Sequence, residues 1–259
     1  MTDGAASVRR TAGDRPRVAV FRPDDERLDR ASDILGDLGA EPVTDPMLAV
    51  EPTGDAPRSG ADYVVLTSKT GVELAAEADW VPGDATICAI GPATADALEA
   101  AGYSVDVVPD EYTSSGLVEA LVAEPALDGA SIEVARSDHG SQVLTDGLAA
   151  AGADVHETIL YRLVRPDGSG ESADLAADGD LDAACFTSSL TVEHFLAAAD
   201  ERGVGAAARD ALDEIVVGVI GEPTAETARD RGIDVDVVAS EATFEALARE
   251  TVARLGDRA

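Results

Sequence analysis

Hydrophobic positions in this chain cluster in short unbroken runs set between polar, turn-forming stretches. The runs are RVAVFRP (17–23), DYVVLTS (62–68), TICAIG (86–91), VDVVP (105–109), SIEVARS (131–137), ETILYRLV (157–164), DAACFTS (182–188), EIVVGVIG (214–221) and VDVVAS (235–240). Runs of this length and continuity predict strands buried on both faces. Between them the spacing changes to that of a helix. DDERLDRASDILGDLGA (24–40) is amphipathic and closes on Gly39, KTGVELAAEA follows the second run, and TFEALARETVARL covers 243–255. This alternation predicts an α/β fold with parallel, doubly wound sheets in the flavodoxin- or Rossmann-like manner.

Self-similarity divides the chain further. DYVVLTS returns as DAACFTS 120 residues on, and IGPAT (90–94) returns as IGEPT (220–224) 130 residues on. VDVVPDEYT and VDVVASEAT keep the second offset, as do Leu117 and Leu247. A second pair, VAVFRP…LGDLGAE (18–41) and IEVARS…LAAAGAD (132–154), aligns Arg22 with Arg136. The order is therefore A–B–A′–B′. Gly/Pro/Asp-rich linkers, EPTGDAPRSG (51–60) and RPDGSGESADLAADGD (165–180), fall between A and B and between A′ and B′. That placement predicts one lobe of B with A′ and another of A with B′, the chain crossing twice. The expected lobes are 1–45 with 168–259, and 46–167, with connections near 41–60 and 160–180.

Composition changes the picture of the surface. Asp and Glu number 51 against 19 Lys and Arg, a formal charge of −32, and Lys69 is the only lysine. The acids are spread over every surface-like segment. This reads as the hydrated carboxylate surface of a salt-adapted, halophilic protein. It argues against nucleic acid and anionic membranes as partners, since both are polyanions. Aromatic residues are only 3%, so the core rests on Ala, Val, Leu and Ile. Cys88 and Cys185 sit in strand runs and read as reduced core thiols, with no disulfide framework or zinc spacing. There is no 18-residue apolar run and no signal-peptide pattern, so a cytoplasmic monomer is expected. The polar N-terminal segment 1–17 is expected to fray.

Chemistry-bearing residues gather where strands end. Thr94 and Thr224 follow Gly91 and Gly221 where a helix begins, and Thr67, Ser68, Ser188 and Ser189 follow the LTS and FTS strands. Thr113, Ser114, Ser115 and Thr243 open two further helices. Such hydroxyls cap free helix N–H groups, and the same N–H groups with the helix dipole favour an anion. Taken singly each reads as a cap. Together they lie at the carboxyl ends of strands, where open α/β sheets bind ligands. Arg22, Arg136 and Lys69 are cations that fit either a ligand carboxylate or a surface ion pair. Tyr161, in TILYRL, reads either as a packed strand tyrosine or as a phenol facing the region between lobes. His139, His156 and His194 are scattered, so no metal site is expected. Neither a phosphate loop nor a G-x-S-x-G elbow is present.

The order of an Arg-ended first strand, LTS, IGPAT, DEYTSSGL, LYR, FTSSLTVEHF and IGEPTAETA resembles the uroporphyrinogen-III synthase family over roughly residues 17–255. The resemblance implies two α/β lobes joined by a two-stranded connection, with the active cleft between them. It implies closure of hydroxymethylbilane, a linear tetrapyrrole, to uroporphyrinogen III with inversion of ring D and loss of water. The nucleophile and electrophile then both belong to the substrate, and neither metal nor cofactor is needed. Hydroxymethylbilane synthase is the implied supplier. Tyr161 becomes the candidate general acid for loss of water, and Thr224, Ser188 and Thr94 candidates for positioning substrate. From the residues alone, a non-catalytic bilobed binding or regulatory protein for a small anionic metabolite stays open.

Overall fold

A computed structural model describes residues 15–123 and 127–258, so the leading segment expected to fray lies outside the described residues up to position 14. In chain order the elements are β1 Arg17–Phe21, α1 Glu26–Asp37, β2 Glu41–Thr44, β3 Ala49–Pro52, β4 Tyr63–Leu66, α2 Lys69–Glu77 and β5 Thr86–Ala89. Next come α3 Pro92–Ala100, α4 Ser114–Val122, β6 Ser131–Ser137, α5 Gln142–Ala150, β7 Asp154–Val164 and α6 Glu171–Ala177. The chain closes with β8 Ala183–Phe186, α7 Ser189–Glu201, α8 Gly205–Glu214, β9 Val216–Val219, α9 Glu222–Asp230, β10 Val237–Val238 and α10 Phe244–Arg258.

Two compact units result. One takes the chain up to Ala49 and again from Val164 onward, and the other is Val50–Leu163. The first unit holds a sheet ordered β10-β9-β8-β1-β2, all parallel. The second holds β5-β4-β6-β7-β3, parallel from β5 through β7, with Val107 bridging to Cys88 outside β5. Each sheet thus follows one spatial plan, but the chain enters it at different points. The first unit is threaded β1, β2, then β8 to β10; the second is threaded β4, β5, then β6, β7. The A–B–A′–B′ repeat appears as two circularly permuted copies. The chain passes between the units twice, in β3 and at the end of β7, and these two strands are neighbours in the second sheet.

Equivalent hydrogen bonds anchor both copies. Asp62 accepts from the Ser131 N–H (2.8 Å) as Asp182 accepts from the Arg17 N–H (2.7 Å). Asp106 accepts from the Ile87 N–H (2.8 Å) as Asp236 accepts from the Val217 N–H (2.9 Å). The core is mainly aliphatic, and its ring–ring contacts form one aromatic nucleus in each unit. Phe21 and Phe186 stack at 4.7 Å with Phe195 against both, and Trp80 meets Tyr103 at 5.3 Å.

Several edges differ from expectation. VDVVP (105–109) forms only the single bridge at Val107, because the Asp106 carboxylate takes an N–H that a longer ladder would use. VDVVAS pairs over just Val237–Val238. The first linker yields the edge strand β3 and the second yields α6. Asp45 nucleates α6: its buried carboxylate accepts from the N–H groups of Gly170 and Ser172, each at 2.9 Å. β2 and β3 each contain a proline, Pro42 and Pro52, which is tolerated because both strands are edges.

Candidate functional site

In the second unit the ends of β4, β5 and β7 present adjacent groups. Ser68 caps α2, its hydroxyl accepting from the Gly71 N–H at 3.0 Å. It also accepts from the Tyr161 hydroxyl at 3.0 Å. A hydroxyl that accepts twice has only its own proton left to offer. Ser68 is thus an oriented donor with Tyr161 behind it.

Tyr161 reaches Ser68 because of a bulge. Arg136 pairs with Ile159 but Ser137 pairs with Tyr161, so Leu160 is an extra residue in β7. The extra residue breaks the alternation, and Leu160 and Tyr161 both pack into the cluster of Val64, Leu66 and Val72. Thr53 holds the bulge from β3's end. Its hydroxyl donates to the Ile159 and Leu160 carbonyls at 2.7 and 3.1 Å, and its N–H donates to Leu160 at 3.0 Å. Tyr161 is 7% exposed.

The two IG corners have a common construction that differs from a hydroxyl cap. Gly91 and Gly221 themselves occupy the cap positions, and neither corner has a side-chain cap bond. Thr94 and Thr224 lie three residues past the caps, as the third helical residue in the first turn, 5% and 3% exposed. Neither threonine hydroxyl has a hydrogen-bond partner among the described residues. Proline removes one first-turn donor from each corner, leaving the Ala93 N–H in α3 and the Glu222 N–H in α9. Each corner therefore offers a free threonine hydroxyl beside a free helix N–H.

Other predicted residues divide between caps and ion pairs. Thr113 caps α4 through the Gly116 N–H (3.0 Å), with Ser114 half-buried beside it. A side chain on Gly116 would strike the Glu111 carbonyl, so this turn requires glycine. Ser188 caps α7 in a reciprocal box with Thr191. Ser189 donates to the Pro223 carbonyl (3.1 Å) and accepts from Thr227 (2.8 Å), joining the starts of α7 and α9. Thr67 is half-buried with no partner among the described residues, and Lys69 is exposed beside Glu73 at 3.4 Å. Arg22 lies 5.3 Å from the Phe244 ring centre, and burial, then Arg27, lower its pKa against an opposing effect of Asp25.

Arg136 departs from its expected place at a ligand face. It is 1% exposed and shares the β6 face of Ile132 and Val134, opposite Ala135 and Tyr161. Its guanidinium donates to the Ser141 carbonyl (2.5 Å) and pairs with Glu157. Gly140 gives its stem room, since a side chain there would overlap it. No group of three or more His, Cys, Asp or Glu fit for a metal ion occurs among the described residues. Thr53 and Asp45 were not foreseen, because their roles depend on long-range backbone partners.

The family model described as Uroporphyrinogen-III synthase HemD matches residues 29–249. The chain belongs to the uroporphyrinogen-III synthase family. A protein of Methanothermobacter thermautotrophicus provisionally named as such a synthase is 31% identical over 231 residues, covering 83% of this chain and 90% of the relative. The uroporphyrinogen-III synthase of Synechococcus elongatus is 28% identical over 194 residues, 72% of each chain. Among solved structures, a mutant uroporphyrinogen III synthase of Thermus thermophilus superposes with a TM-score of 0.65 at 21% identity, over 94% of this chain and 100% of that one. The Helicobacter pylori protein superposes at 0.61 and 15% identity, over 93% and 99%. These two likenesses carry the two-lobed α/β fold of the synthases.

Proposed function

We propose that this chain closes hydroxymethylbilane to uroporphyrinogen III with inversion of ring D, acting as a lyase that releases water. The observation that carries the reading is the Tyr161–Ser68 pair at the mouth of the second unit's strands. The reaction begins with departure of the hydroxymethyl oxygen, which needs a proton. The Ser68 O–H, polarised by Tyr161, supplies a hydrogen bond to that oxygen as the carbon–oxygen bond breaks. The azafulvene left behind is attacked by the substituted carbon of ring D, giving a spiro intermediate whose fragmentation and re-closure invert the ring. All bonds made and broken lie in the substrate. The protein's part is to hold the chain bent and to assist the leaving group.

The substrate's carboxylates suit the free Thr94 and Thr224 hydroxyls with their neighbouring N–H groups. In a chain of formal charge −32, such uncharged donors hold an anion without a balancing cation. We further read the protein as a monomer that receives the bilane from hydroxymethylbilane synthase, because free bilane closes spontaneously to the type I isomer.

Freshly made hydroxymethylbilane tests the proposal. Mainly type III product from the wild type, and a large fall in kcat for Tyr161→Phe and Ser68→Ala with the fold retained, are expected. Type I product alone from folded protein, at low and at high salt, would reject it.

A further inference from the structure

The two corners are copies, and one difference between them is large. Tyr112 packs on the first corner: a Cβ placed on Gly91 would lie 3.2 Å from Tyr112 Cβ and 3.4 Å from its Cγ. The repeat places Ala242 at the equivalent position, DEYT against SEAT, and the space over Gly221 is open but for Pro223 at 4.0 Å. Tyr112 is also unlike every other aromatic in the chain. Phe21, Phe186 and Phe195 are fully buried, Phe244, Trp80, Tyr63 and Tyr161 nearly so, and Tyr103 is half-buried. Tyr112 is 62% exposed. Its stem rests on the Gly91 backbone while most of its ring faces solvent, and its hydroxyl has no partner among the described residues.

An exposed aromatic ring is costly to explain on an acidic surface that otherwise buries its aromatics. The corner beneath it already has its polar equipment in the Thr94 hydroxyl and the Ala93 N–H. What Tyr112 adds is a flat apolar face directly beside those donors. We infer that Tyr112 is a substrate-positioning residue whose ring stacks on a pyrrole ring while the corner below holds that ring's carboxylate. This rests on the synthase reading given above and makes the second unit's corner the more selective of the two. Stacking of a flat heterocycle on an aromatic side chain is sequence-tolerant in nucleic acids for the same reason, since any π-face will serve.

The experiment uses the full chain with Tyr112→Ala, Tyr112→Leu and Tyr112→Phe, each checked by thermal melting. Uroporphyrin III, the oxidised product, is the binding probe, read by its fluorescence; KM and kcat for hydroxymethylbilane are read in parallel. The Ala and Leu variants are expected to weaken porphyrin binding and raise KM about tenfold, ~1.4 kcal/mol. Their kcat should stay within about twofold, and Phe should match the wild type. Indifference of both measurements to Ala overturns the inference, and so does a Phe variant as weak as Ala, which would assign the effect to the hydroxyl. Wild type that makes only type I product, yet binds uroporphyrin in a Tyr112-dependent way, sinks the synthase reading and keeps the stacking face. Wild type that makes type III product with Tyr112 irrelevant does the reverse, and wild type with neither property removes both.

Discussion

Replacing Arg136 by Met exchanges a buried cation for an apolar chain of similar length. The wild-type guanidinium makes two charged hydrogen bonds, to the Ser141 carbonyl and to Glu157. Each charged bond contributes about 1.5–3 kcal/mol. Against this, stripping the cation of water at 1% exposure costs several kcal/mol, and its Nε, with no partner among the described residues, adds about 1–3 kcal/mol. The terms nearly cancel. Glu157, 32% exposed, regains water once its partner is gone. The Met variant should therefore lose no more than about 1.5 kcal/mol. Arg136→Ala adds a cavity beside Gly140 and should lose about 3 kcal/mol. At 2–4 °C per kcal/mol, that lowers Tm by roughly 6–12 °C.

Circular-dichroism melting measures both variants, and an isomer-resolved assay measures KM. Burial of Arg136 on the face opposite Tyr161 predicts a KM for the Met variant within about twofold of wild type. A Met variant with unchanged melting and a KM raised tenfold would refute the reasoning, because only a guanidinium in contact with substrate gives that result.

Thr53→Val keeps shape but removes the hydroxyl that bridges the Ile159 and Leu160 carbonyls. It should cost about 1–2 kcal/mol, and kcat should fall in parallel with Tyr161→Phe. The double variant should be no slower than Tyr161→Phe alone, since both act through one phenol; additive losses would separate Thr53 from Tyr161. Burial pushes the Cys185 thiol from 9.0 up to about 12. The native state then keeps a proton that the unfolded chain releases, so stability declines as pH rises past about 9, by at most ~1.4 kcal/mol per pH unit up to the native value. Cys185→Ser or Cys185→Ala should flatten that limb of the pH–stability curve, and native Cys185 should resist thiol reagents at pH 8. Finally, turnover should rise with salt, because the Debye length shortens to about 3 Å at 1 M and screens repulsion between the acidic surface and an anionic substrate. Full turnover at low salt with melting unchanged would remove that expectation.

The central strands were legible because parallel strands buried on both faces leave unbroken apolar runs, as at Val18–Phe21 and Tyr63–Leu66. The edges were not. β2 and β3 are four residues each, half polar, and contain Pro42 and Pro52, so their pairing is imposed by the strand beside them. Asp45 initiates α6 from 125 residues away in sequence, a contact no local pattern encodes. For Arg136 a usable signal existed. Positions 132, 134 and 136 share one strand face, and Ile132 and Val134 mark that face as core. For Tyr161 parity misleads, because the Leu160 bulge reverses it.

The duplication supplies the remaining logic. Features shared by both copies, such as the Asp62 and Asp182 anchors or the Gly91 and Gly221 caps, are those the fold itself requires. Chemistry on one irregular substrate needs the copies to differ. Among the described residues the Ser188 hydroxyl accepts only from the Thr191 N–H within its reciprocal cap, whereas its counterpart Ser68 accepts from the Gly71 N–H and also from the Tyr161 hydroxyl. Ala242 leaves the first unit's corner bare, whereas Tyr112 covers the second. Both departures fall in the same unit, at the ends of adjacent strands and in the loop above them. Both corners keep the pairing of threonine hydroxyl and helix N–H, and the second unit alone adds the Tyr161 hydroxyl on Ser68 and the Tyr112 ring over Gly91.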